Sequence, residues 1–155
     1  MNNWDETFIE IANLMANHST CKKLHVGAVI VKDKRIISCG YNGSPSGMKH
    51  CCDEFENIDI TSSVGKVSHH IFSEKYEIHA EQNAICYASK YSIGLNGATL
   101  YTTTEPCSNC AKNIIASGIK RVVFEKPYKN NNGSSLLKEA GIIIEQWERN
   151  EEKNL

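Results

Sequence analysis

Two short motifs, His79-Ala80-Glu81 and Pro106-Cys107-Ser108-Asn109-Cys110, limit what this chain can fold into more than any other feature. Cys107 and Cys110 stand three apart where a helical pattern begins, so both thiols point to one side of a first turn. A helix N-terminus also favours the thiolate form. His79 opens a second helical stretch after a strand-like approach. Two thiolates and a neutral imidazole balance the charge of a divalent ion and leave one position for water, the pattern of a catalytic zinc. Zinc depresses the pKa of bound water toward neutrality. Glu81 is too close to His79 along the chain for a comfortable fourth ligand, but it is well placed to carry protons. The fold must therefore bring two strand-to-helix junctions together.

The cysteines support this. There are seven, an odd number, and the polar, acidic start Met1 to Glu6 has no signal-peptide pattern. A disulfide framework is disfavoured, and thiols serving as metal ligands or small core residues are expected. No apolar run approaches bilayer-spanning length, so no membrane association and a cytoplasmic location are expected. The net charge of -1 gives no global basic field for a nucleic-acid backbone. At 155 residues the chain suits a single domain over 1–155.

Hydrophobic spacing predicts a helix over Asn3 to Ala16, strands over His25 to Lys32 and Arg35 to Gly40 joined by a tight Asp33-Lys34 turn, and a Gly-rich loop over Tyr41 to Gly47. A helix follows over His79 to Tyr91, then a strand over Ala98 to Thr104. The pattern continues with a helix over Cys107 to Ser117 closed by Gly118, a strand over Arg121 to Phe124, a short helix over Ser134 to Ala140, and a last strand over Ile142 to Trp147. Residues 48–76 show no periodicity and read as a loop insert, long enough to need stapling by metal ligands. Residues 148–155 read as a frayed tail.

With these elements in place, the chain resembles the deoxycytidylate (dCMP) deaminases from about Asp5 to Trp147. The resemblance rests on Val26-Gly27-Ala28-Val29-Ile30, on Gly40-Tyr41-Asn42-Gly43-Ser44-Pro45-Ser46-Gly47, on His79-Ala80-Glu81-Gln82-Asn83-Ala84-Ile85, and on Glu105 to Gly118. His-x-Glu with Pro-Cys-x-x-Cys is the signature of zinc deaminases. The family implies a three-layer α-β-α fold with a five-stranded mixed sheet, and a homo-oligomer, usually a hexamer. It implies His79, Cys107 and Cys110 as zinc ligands and Glu81 as the catalytic acid and base. In the substrate site it implies Asn42 on the sugar 3′-hydroxyl, the Ala80 backbone on the pyrimidine edge, and Tyr41, Gly40 and Gly43 shaping the nucleotide loop. That loop also takes part in binding dCTP, an activator that acts with magnesium, and dTTP, an inhibitor.

The match is closest to a bacteriophage branch with a second zinc, whose ligand positions fall here on Cys21, Cys51, His69 and Glu77. The neighbours Cys52 and His70 remain alternatives. Cys39 and Cys86, in apolar contexts, read as core residues. Many members carry Lys or Arg just before Val-Gly-Ala, where this chain has His25; Lys22, Lys23 and Lys49 are other phosphate candidates. The expected reaction is hydrolysis of dCMP to dUMP and ammonia, which supplies thymidylate synthesis. Its rivals are deamination of another free nucleotide or nucleoside such as dCTP or deoxycytidine, a nucleic-acid deaminase, and a zinc-stabilised binding module. In a viral setting the location would be the host cytoplasm.

Overall fold

A computed structural model describes residues 3–129 and 132–150. The elements run α1 (Trp4–Ala16), β1 (Gly27–Lys32), β2 (Arg35–Tyr41), α2 (Cys51–Glu54), α3 (Ser63–Tyr76), α4 (Ala80–Lys90), β3 (Thr99–Thr104), α5 (Ser108–Ser117), β4 (Arg121–Lys126), α6 (Asn132–Glu139) and β5 (Ile143–Gln146). One five-stranded sheet has the order β2-β1-β3-β4-β5. β1 is antiparallel to β2 and β3, whereas β4 is parallel to both its neighbours, so the sheet is mixed as expected. Asp33 and Lys34 both take positive φ at the β1–β2 turn, the backbone twist that suits a two-residue hairpin.

Alternation along β1 sorts side chains to the two faces of the sheet. Val29 and Val31 pack with Phe8, Ile9 and Ala12 of α1. Ala28 and Ile30 face the opposite way, among Ala84 of α4, Ile114 of α5 and Leu137 of α6. The result is three layers, with α1 on one face and α4, α5 and α6 on the other. Gly40 lets α4 lie directly on β2: a Cβ there would come within 2.7 Å of the Ala80 oxygen and the Ala84 nitrogen. Gly118 ends α5 in the left-handed region, φ 85°.

Two expectations are corrected. The 48–76 stretch is not a plain loop, because it carries α2 and the 14-residue α3. Its small core is Cys21, Cys51, Phe55 and Phe72, with Phe55 and Phe72 in edge contact at 5.5 Å. Cys86 is exposed on α4 rather than in the core, while Cys39 is half-buried beside the α1 cluster. Of the expected tail, 151–155 lies outside the described residues.

Candidate active site

Each motif opens a helix, but only the cysteine motif follows a strand, β3; the approach to His79 is the end of α3 and a single bridge between Ile78 and Gly43, not the strand expected. His79 is the residue immediately before α4, and Cys107 holds the same place before α5. His79 is located by its flanks. Its backbone N–H donates to Gln82 Oε1 at 3.0 Å, and the preceding Ile78 pairs with Gly43 in both directions at 3.1 and 2.9 Å. Gly43 thus ties the Gly-rich loop to the approach of His79.

His79 Nδ1 lies 3.2 Å from Cys110 Sγ and 3.4 Å from Cys107 Sγ. A tetrahedral zinc with ordinary Zn–N and Zn–S lengths holds such atoms roughly 3.5 Å apart, so the donor set fits that ion. The Cys110 thiol and then His79 hold Cys107 down at about 3. Cys110, which gives up that bond, is pushed up. The Cys107 contact also raises His79. These are groups sharing protons that one divalent cation would displace.

Glu81, only 4% exposed, lies in the first turn of α4 and opens into a cleft of about 360 Å³, within the range of small-molecule sites. Burial pushes its carboxyl up. Val26, Asn42, Ala80, Thr104, Cys107 and Tyr128 also line this cleft. Asn42 is held by β1's entrance: Val26 N–H donates to its Oδ1 at 2.8 Å, and its Nδ2 donates to Leu24 O at 2.7 Å. The insert supplies one wall through His69, His70, Ser73 and Glu74.

Three expected substrate residues stand elsewhere. Tyr41 and Gly43 line a neighbouring cavity of about 340 Å³, with Tyr41 O accepting from Asn83 Nδ2. His25 is exposed and spends Nε2 on Cys21 O at 2.8 Å, outside the cleft.

A second donor group joins Cys21, Cys51 and His69, whose ligand atoms lie within 4.8 Å of one another. Cys21 Sγ is 3.5 Å from His69 Nε2. All three are buried, and burial raises Cys21 and lifts Cys51 to about 11. Glu77, expected as the fourth ligand, is not among the residues the structure groups within that distance, though its charge contributes to the rise of Cys21. Glu77 Oε2 accepts from Ser73 Oγ at 2.7 Å, while buried Oε1 has no protein partner. The donors suit zinc, and the orphaned oxygen suits a fourth ligand. Cys52 is exposed and turns to Asp53; His70 faces the cleft.

Sequence reasoning gave no role to Glu105 or Tyr128. Glu105 is buried in the Glu-Pro-Cys turn and accepts from the Tyr128 N–H at 2.9 Å and from Ser134 Oγ, securing Tyr128 at the cleft. The position of Glu105 beside Pro106 was a usable signal; Tyr128 had none, because it sits in a loop.

The family model for the cytidine and deoxycytidylate deaminase zinc-binding region matches residues 2–126. The chain belongs to this family. It is 40% identical over 149 residues to ComE operon protein 2 of Bacillus subtilis, covering 96% of this chain and 73% of that protein. It is 39% identical to the deoxycytidylate deaminase of Enterobacteria phage T4, covering 89% and 86%. Among solved structures, the dCMP deaminase of cyanophage S-TIM5 in complex with dCMP and dUMP matches with a TM-score of 0.76 and 31% identity, covering 92% of this chain and 95% of that one. As a member of a zinc-binding deaminase family, the chain has a cluster fitted to the metal. No helix among the described residues is long and apolar enough to cross a membrane.

Proposed function

We propose that this deaminase converts dCMP and water to dUMP and ammonia. The observation that carries the reading is the buried carboxylate of Glu81 beside the His79–Cys107–Cys110 group at the floor of a nucleotide-sized cleft. When bound there, zinc supplies a Lewis acid that makes water nucleophilic near neutral pH. Glu81 would take a proton from the attacking water and deliver it to the ring nitrogen, then take the proton of the hydroxyl formed at C4 and deliver it to the amine, which leaves as ammonia. Ala80 presents backbone to the pyrimidine edge, and Asn42, braced by two backbone hydrogen bonds, offers its remaining amide capacity to the sugar. Tyr128 closes the cleft wall.

The remaining readings have their own support. A second zinc fits the donors of Cys21, Cys51 and His69, with Glu77, whose Oε1 is buried without a protein partner, as the fourth ligand the resemblance implies. An effector, dCTP with Mg2+ or dTTP, fits the neighbouring cavity, where Thr20 Oγ1, Ser44 Oγ and His50 Nδ1 are buried without protein partners. Assembly into a homo-oligomer, a hexamer by the resemblance, suits the exposed Val64, Val67 and Ile71 of α3. A reducing location such as the cytoplasm suits seven free cysteines.

The test is ammonia release from dCMP, dCTP, deoxycytidine and CMP in parallel, with and without added dCTP and magnesium. Preference for dCMP is expected, with stimulation by dCTP. Zinc-replete protein that turns over none of the four would overturn the substrate assignment.

A further inference from the structure

Glu105 is a buried carboxylate in the cleft wall that forms no ion pair among the described residues. A charge held in this way costs free energy unless strong hydrogen bonds meet it. Both of its oxygens are met, and both by residues that come later in the chain. Oε2 accepts from the Tyr128 N–H at 2.9 Å, and Oε1 accepts from the Ser134 hydroxyl in the first turn of α6. The Glu105 N–H adds a third link by donating to Lys126 O at 2.8 Å. One residue thus joins the end of β4, the segment after it and the start of α6.

The same turn carries a metal-ligating residue, because Cys107 follows two positions later, immediately before α5. The start of α6 lies flush against this turn. A Cβ on Gly133 would come within 1.9 Å of Pro106 O and 2.9 Å of the Cys107 carbonyl. Leu137, one helical turn on, is fully buried in the core. So α6 is anchored in the core at Leu137 and on the Pro106–Cys107 turn at Gly133. Glu105 passes that placement on to Tyr128, which lines the cleft.

We infer that Glu105 is a positioning residue for the reaction: through the Tyr128 N–H it fixes the aromatic wall of the cleft to the docked α6 and to the turn that presents Cys107. The inference rests on the reading of the cleft as the deaminase substrate site and deepens it. Tyr128 is 40% exposed, so its ring depends on the backbone for its direction. A hydrogen bond made before substrate arrives removes an ordering cost that binding would otherwise carry. Glu105 therefore acts on substrate affinity, while the proton chemistry stays with Glu81 on α4.

The experiment uses the zinc-loaded full chain. E105A should raise KM for dCMP about tenfold, as for loss of a hydrogen bond to a charged acceptor, with kcat within about twofold of wild type. Zinc content should not change. E105Q keeps an oxygen for the Tyr128 N–H and gains an N–H for Ser134, so it should recover most of the loss. The double variant E105A/Y128A should bind dCMP no worse than Y128A, because two residues acting as a unit do not add. Exchange of the Tyr128 amide hydrogen gives a reading that needs no substrate: E105A should speed it about tenfold or more relative to the amides of β1. Additive effects of E105A and Y128A would place Glu105 on the substrate itself and overturn the assignment. An unchanged Tyr128 amide in E105A, or lost zinc with KM unchanged, would overturn it as well. Wild-type protein that binds zinc but does not turn over dCMP would instead overturn the substrate reading of the preceding subsection, and amide exchange would still decide whether Glu105 holds Tyr128.

Discussion

Replacing Glu81 by Gln separates chemistry from scaffolding. The amide keeps the size and most of the shape of the carboxyl group, which is 4% exposed in the first turn of α4. It cannot accept and return a proton at working pH. One positioned acid or base typically contributes about 10²–10⁴-fold. Glu81 acts twice per turnover, on the attacking water and on the ring nitrogen and amine, so the loss should reach the top of that range. A fall of ~10⁴ in kcat corresponds to ~5.4 kcal/mol of barrier. Stability should move the other way. Burial disfavours the charged form of this carboxyl, and Gln removes a charge that folding must desolvate. The melting temperature should therefore equal or exceed that of the wild type. The assay is loss of dCMP absorbance in parallel with zinc content and thermal unfolding. Residual activity above about 1% of wild type in fully zinc-loaded E81Q would refute the proton-carrier role. Loss of zinc would show that Glu81 is a ligand after all.

Metal content distinguishes the adjacent cysteines of the insert: C51S should fall from two zinc ions per chain toward one by elemental analysis, whereas C52S, altering an exposed thiol, should keep both. Asp5 meets Arg121 through two contacts at 2.9 and 2.8 Å and accepts from Tyr101 at 2.7 Å, tying α1 to β3 and β4. Because the pair is only partly buried, D5N should lose about 1–3 kcal/mol, between exposed and fully buried pairs. Arg121 holds the Asp5 carboxyl below its ordinary 3.8. Its stabilisation is therefore complete above that value and lost as pH falls through the lower folded-state pKa. The gap in melting temperature between wild type and D5N should close in acid and stay constant near neutrality. Ile114 is fully buried between α5 and the sheet. I114A should lose about 2–5 kcal/mol in denaturant titration.

The sheet and its covering helices were legible because their faces follow simple rules. β1 reads as an unbroken apolar strand since both its faces are covered, by α1 through Val29 and Val31 and by α4 and α5 through Ala28 and Ile30. The metal cluster was legible because its ligands sit at helix starts, where the motif spacing is set by the first turn. The insert was opaque for a physical reason. On α3 the buried side is Gly65, His69 and Phe72, while Val64, Val67 and Ile71 are exposed. A pattern that puts a histidine inside and aliphatics outside cancels the periodicity by which helices are recognised. Tyr41 and His25, expected beside the substrate, stand outside the cleft lining for a different reason. Adjacency to a motif along the chain does not say which side of a loop a side chain takes. Tyr41 turned to the neighbouring cavity, and His25 turned back to cap Cys21.

The inverted helix also links the two donor groups. His69 and His70 are neighbours on α3, about 100° apart around its axis. His69 joins the Cys21–Cys51 group, and both histidines line the cleft that holds Glu81. Ser73 and Glu77 follow one turn later: the Ser73 hydroxyl bonds a Glu77 carboxylate whose other oxygen is buried without a protein partner, and both residues line the cleft. The small core of Phe55 and Phe72 is thin support for so long an insert. Whatever holds His69 in its group also fixes the turn of α3 that carries His70. An ion held at the second group would therefore brace the cleft wall directly, since Cys21 and His69 themselves line it, without a part in the proton chemistry of Glu81.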